Sequence, residues 1–186
     1  MTSILKADRI QSTSNGFVLP PAGGIIQTQY LQYTSTTSTA VANGSNQTLD
    51  HLTLNITPTA TNSIIKIEAM VSGEWTPQET TTYNSGWFFY RDSTKLAAPI
   101  DGSRSITVLP LTLIGITGAD QASTPEAAVY SYFDTPSSTS QIAYKVGVVQ
   151  ATGSSATWYT NRTVTDTNSG IYERGISYIS VTEIAG

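Results

Sequence analysis

Cysteine is absent from the 186-residue chain and histidine occurs once, as His51. Without thiols there is no disulfide staple, no thiolate nucleophile and no cysteine-bound zinc. A single imidazole leaves Ser-His-Asp and Cys-His chemistry almost no footing. His51 stands in Asp50-His51-Leu52 at the start of an alternating run, where a histidine beside an aspartate reads as an ordinary turn residue rather than a base. Charge is scarce as well. Nine basic and 13 acidic side chains make up 12% of the chain, about half the roughly 25% usual in soluble domains. The net charge of −4 excludes nucleic acid as a partner, because phosphates require clustered Lys and Arg.

Long apolar runs are also missing. The longest, residues 108–116, is interrupted by Pro110, Thr112 and Gly115, far short of the roughly 18 residues that span a bilayer. Residues 1–9 lack the apolar centre of an export signal. Neither a membrane segment nor membrane association is expected. Gly23-Gly24 and Gly115-Ile116-Thr117-Gly118 have neither the spacing nor the Lys of a phosphate-cradling loop. Asp166-Thr167-Asn168-Ser169-Gly170 lacks the later Glu of a calcium loop and reads as a plain turn. No cofactor and no metal are expected.

Ser and Thr fill the place of charge, together more than a quarter of the residues, while 39% are hydrophobic. The apolar residues recur with period two and no window holds a helical stripe, which predicts strands with one face in a core. Residues 52–56 and 65–71 alternate cleanly around the turn chemistry of 57–63, the pattern of a long-looped hairpin. Further strands are expected at 86–91, 105–116, 127–133, 141–150, 156–160 and 176–184, separated by Asp, Gly, Ser and Pro clusters. Pro110 cannot donate to a ladder, so it belongs at a bulge, a bend or a sheet edge. The predicted fold is all-β: an antiparallel β-sandwich of jelly-roll type over 28–186, preceded by an extended arm and Pro/Gly hinge over 1–27. The arm has Ile4, Leu5, Ile10, Phe17, Val18 and Leu19 to bury against a partner, Pro20-Pro21 to stiffen it and Gly23-Gly24 as a joint.

Catalysis would have to come from paired acids. Glu68, Glu74, Glu79, Asp120, Glu126, Asp134, Asp166, Glu173 and Glu183 are candidates, and spacing selects no pair. No catalytic residue is therefore assigned and the chain is read as non-enzymatic. Aromatic side chains offer a binding chemistry instead: Trp75 beside Thr76-Pro77, and Trp158-Tyr159 between Gly153 and Asn161, could present flat faces to a glycan or a protein partner.

The arm sequence Ile4-Leu5-Lys6-Ala7-Asp8-Arg9-Ile10-Gln11, followed by Phe17-Val18-Leu19-Pro20 and Gly23-Gly24-Ile25-Ile26-Gln27, resembles the N-terminal arms of small virion proteins of tailed bacteriophages, notably those infecting cyanobacteria and other marine bacteria. The strand-and-turn segments 52–59, 64–67, 88–94 and 174–184 are similar to the same group. The resemblance implies a Ser/Thr-rich sandwich assembled as a homotrimer on the exterior of the virion. It implies attachment through the arm to the major capsid protein or another virion protein, either as a capsid decoration (cement) protein or as a fibre module that recognises host-surface glycans.

Overall fold

The computed structural model describes residues 20–76, 85–110, 122–150 and 155–186. The described residues contain strands and no helix: β1 (Ile25–Tyr33), β2 (Thr37–Val41), β3 (Ser45–Ile56), β4 (Ile64–Thr76), β5 (Ser85–Arg91), β6 (Thr94–Leu96), β7 (Leu109–Pro110), β8 (Glu126–Asp134), β9 (Ile142–Gln150), β10 (Ala156–Thr160) and β11 (Ser177–Ile184). They form a six-stranded and a five-stranded antiparallel sheet packed face to face. In the larger sheet β4 is central. β8 lies along one side of it, β11 and β10 follow each other along the other, and β1 and β2 flank these two in turn. The smaller sheet runs β3, β9, β5, with β6 and β7 sharing the outer side of β5. The chain changes sheet at β2–β3, β3–β4, β4–β5, β7–β8, β8–β9 and β9–β10, while β1–β2, β5–β6–β7 and β10–β11 each stay within one layer, β1 with β2 and β10 with β11 sharing a row. That connectivity, four rows against four, is a jelly roll.

Strict alternation builds the layers. Along β4, Ile65, Ile67, Ala69 and Val71 point inward, as do Ile179 and Val181 of β11, and they meet Leu49, Leu52, Phe89, Tyr144, Val146 and Val148 of the other sheet. Trp75, Trp87 and Trp158 pack together in the same core, with ring centroids 5.0–6.4 Å apart. Gly73 makes room for them, since a Cβ there would lie 2.6 Å from the Trp158 ring. Pro110 pairs with Gly86 on the rim of the smaller sheet, where its missing N–H costs no central ladder bond.

Three expectations change. Residues 52–56 and 65–71 are not a hairpin: β3 belongs to the five-stranded sheet and β4 to the six-stranded one, so residues 57–63 arch across the roughly 10 Å between layers. Alternation fixes which face of a strand is buried, and both placements satisfy it. Of the strand expected over 105–116, residues 105–108 are not strand, Leu109–Pro110 form β7, and residues 111–116 lie outside the described residues. Finally, β1 and β2 form where no strand was expected, because Thr, Gln and Ser dilute their apolar alternation to Leu31, Tyr33 and Val41. Ile25 already pairs with Ile184, so the sheet begins before residue 28.

Arg91, Asp134 and Tyr144 lock the two layers together. The Arg91 guanidinium donates to both Asp134 carboxylate oxygens at 2.8 and 3.0 Å, and the Tyr144 hydroxyl donates to Oδ2 at 2.7 Å. Burial, then the neighbouring carboxylate, pushes the Tyr144 phenol far up, so it remains a donor. Removing Asp134 leaves the Arg91 charge without its carboxylate in a site that water reaches only in part. Asp134→Ala is expected to lower stability by about 3 kcal/mol, the low end for a broken buried pair because Arg91 keeps partial solvent access. Urea unfolding should show this as a lower midpoint with an unchanged slope.

Candidate functional site

The arm residues Ile4, Leu5, Ile10, Phe17, Val18 and Leu19 lie outside the described residues. The root of the arm lies within them and is held firmly. Gly23 donates its N–H to Ala185 O at 2.7 Å, and Ala185 returns one to Gly24 O at 2.9 Å. Gly23 adopts φ +84°, and a Cβ on Gly24 would lie 2.5 Å from the Pro20 Cβ, so this turn requires both glycines. The joint read from Gly23-Gly24 is thus a fixed turn onto the sheet.

One turn further in, the fully buried Glu183 gathers the strands at this end. Its Oε1 accepts from Thr59 N (2.7 Å), Thr59 Oγ1 (2.8 Å) and Ser63 Oγ (2.6 Å), and its Oε2 accepts from Gln27 Nε2 (2.6 Å). Burial alone would raise the carboxyl pKa. The donors from Ser63, Gln27 and Thr59 outweigh it and hold the pKa below the usual 4.5. At the far end of β4, buried Glu74 accepts from Thr124 N at 3.0 Å and Val164 N at 2.6 Å, tying the entry to β8 and the segment after β10. Glu126 stands beside it, and burial together with the Glu74 charge raises its pKa to about 7.

Among the described candidate acids, Glu126 is the one whose carboxyl is shifted by another of them, Glu74, and Glu74 accepts from two backbone donors. Asp134 is held by Arg91 and Tyr144, Asp166 by Arg162 and Arg174, and Glu68 pairs with Lys66 on the surface. Glu173 is exposed, while Glu79 and Asp120 lie outside the described residues. No group of three metal-ligating side chains forms among the described residues. His51 Nε2 lies 3.1 Å from Thr160 Oγ1 and its ring packs 4.5 Å from Tyr33. Burial lowers its pKa despite Asp50, which makes it a neutral bridge between the layers.

The aromatic candidates are placed differently from the sequence expectation. Trp75 and Trp158 are 2% and 1% exposed and cannot stack on a glycan or a partner. They fall in register opposite each other on the inner face of adjacent strands, a pairing that strand alternation in one chain segment does not disclose. Tyr159 points to the outer face, where Arg162 covers its ring at 4.3 Å.

What the surface does present is an open edge. β8 pairs only with β4, and among the described residues nothing pairs with its other side. Residues 127–133 carry no charge and no proline, the usual guards of an edge strand, and Val129 and Phe133 are 62% and 58% exposed on the outer face. On the opposite edge of the same sheet, β1 exposes Ile25 and Tyr30. Uncharged edges at both sides of one sheet went unseen in sequence because an outward Val or Phe reads like any core residue until its partner strand is known.

No family model matches the chain, and no curated protein matches it. Among solved structures it is similar to the VP2 subviral particle of infectious bursal disease virus, at 14% identity and TM-score 0.35 over 85% of this chain and 41% of that one. The Gt strain of the same virus gives 15% identity and TM-score 0.33 over 91% and 46%. The T13 particle gives 16% and 0.35 over 91% and 43%. The chain spans less than half the length of each of these.

The two carboxyls titrate with opposite consequences. Glu183, with its folded pKa depressed, contributes stability that is complete above 4.5 and lost as pH falls through its lower folded value. Glu126, with its folded pKa raised, makes the fold progressively less stable as pH rises from 4.5 to about 7. Thermal melts from pH 3 to 8 should therefore show Glu126→Gln flattening the slope on the neutral side, and Glu183→Gln destabilising the protein at neutral pH while removing part of the acid-side loss.

Proposed function

We propose that this protein is a non-enzymatic structural component of a virion, acting as a capsid decoration (cement) protein of a tailed bacteriophage. In this reading the arm residues Ile4, Leu5, Ile10, Phe17, Val18 and Leu19 bind the major capsid protein or a neighbouring virion protein, and the jelly roll sits on the exterior. The observation that carries it is the anchoring of the arm root. A tether stabilises a shell only if its base cannot pull loose, and Gly23, Gly24 and Gln27 are fastened to Ala185 and Glu183 at the end of the six-stranded sheet. The scarcity of charge fits the same role, since contacts made by apolar groups and hydroxyls depend little on salt.

A homotrimer needs two different patches that meet around a three-fold axis. The two open edges of the six-stranded sheet suit this: β8 with Val129 and Phe133, and β1 with Ile25 and Tyr30. Placing edge against edge would cover four exposed apolar side chains per contact and pair backbone groups that have no strand partner among the described residues. Of the aromatics that the fibre reading offers for glycan recognition, Trp75 and Trp158 are buried and Tyr159 is covered by Arg162, which favours decoration.

Deleting residues 1–19 should leave the melting temperature essentially unchanged and abolish binding to particles that lack the protein, measured by co-sedimentation. Full decoration by the truncated chain would sink the attachment model. Separately, Val129→Lys combined with Phe133→Lys should convert the assembled species to monomer in light scattering while leaving the strand signal in circular dichroism intact. An unchanged mass would exclude β8 from the contact.

A further inference from the structure

Between β10 and β11 the chain leaves both sheets. Part of this excursion forms an open cleft of about 390 Å³ lined by Asp166, Thr167, Asn168, Ser169, Tyr172 and Arg174. Its base is built before any ligand arrives. Arg162 and Arg174 are joined by a backbone bridge and both hold the Asp166 carboxylate, at 3.0 Å to Oδ2 and 2.6 Å to Oδ1. Asn161, buried and at φ +61°, anchors the start of the segment: its side-chain amide donates to Tyr33 O and Ser35 O, and its carbonyl accepts from Gly175 N. Thr165 N donates to Ala122 O, and Tyr172 N to Ser169 O.

The lining decides the ligand class. It combines one carboxylate, one guanidinium, one carboxamide, two small hydroxyls and one phenol ring, with no aliphatic wall. A phosphate or sulfate would face the Asp166 carboxylate, and an apolar molecule would strip water from polar groups without replacing it. Adjacent sugar hydroxyls do both jobs at once, donating to Asp166 or the Asn168 carbonyl and accepting from Arg174, while Tyr172 offers an aromatic body with a polar tip. The volume is at the small end of the roughly 300–1,000 Å³ typical of ligand sites. Asp166 is already oriented by two arginines, so its ordering adds no cost to binding.

We propose that this cleft binds a neutral saccharide of one or two rings. None of its lining residues belongs to the arm sequence, to β1 or to β8, so the variants that test it leave the attachment reading untouched.

The test uses the full chain with glucose, galactose, mannose, N-acetylglucosamine, lactose and maltose, by saturation-transfer NMR and calorimetry, and with inorganic phosphate for comparison. At least one sugar should bind with a Kd of about 10 mM or tighter, and phosphate should not compete with it. Asn168→Ala and Tyr172→Ala, both on the exposed segment, should each weaken that binding by about fivefold or more, with the melting temperature unchanged. The proposal is overturned if no sugar in the panel transfers saturation, if phosphate displaces the sugar, or if both variants bind as the native protein does.

Discussion

A carboxylate taken out of water must be given hydrogen bonds in its place, and the geometry of this sandwich follows from how three of them are supplied. Glu183 and Asp134 lie in one row across β4, on either side of Ile65, and Glu74 lies near the opposite end of the same strand. Glu183 and Asp134 point into the sandwich, whereas Glu74, in register with Tyr159, lies on the other face of β4 from Trp75 and is buried under the linkers that supply its backbone donors. Glu183 draws in the 57–63 crossing and β1, Asp134 draws in Arg91 and Tyr144 of the facing sheet, and Glu74 draws in the approaches to β8 and β11. The apolar core holds the layers together between the ends, and the carboxylates determine how the ends close.

That arrangement explains a chain with so little charge. Several of the 13 acids are spent on architecture, which leaves an outer surface made mostly of hydroxyls and amides, with uncharged edges at β8 and β1. Such a surface repels neighbours weakly and lets close contacts be settled by shape and backbone pairing. The entry into β1 is fastened beside Glu183, by the backbone bonds of Gly23 and Gly24 to Ala185 and by Gln27 to the saturated carboxylate. The segment holding Asp166 and Arg174 is anchored independently through Asn161 and Ser177, at the junction where β10 gives way to β11.

Much of the fold was legible in the residues. The period-two pattern of 65–71, 142–150 and 177–184 marks strands with one buried face, and Pro110 marks an edge, because these are local consequences of backbone geometry. β1 and β2 were not legible: edge strands bury little, so their Thr and Gln positions carry almost no pattern. The sites were less legible still. Trp75 and Trp158 sit near turn residues in sequence but across from each other on an inner face, and Glu126 owes its raised pKa first to burial and then to Glu74, 52 positions earlier in the chain.

Composition and alternation by themselves determined the class of this protein: all-β, layered, free of thiol chemistry and poor in the charges that nucleic acid requires. Those properties depend on residue type and on neighbours one or two positions away. Which sheet each strand joins, which acids are saturated and which edge remains open were decided only by the tertiary structure. The physical reason is that alternation has two solutions for every strand. Only the long-range pairing of β3 with β9 and of β4 with β8, β10 and β11 selects between them, and with that choice decides which side chains meet water.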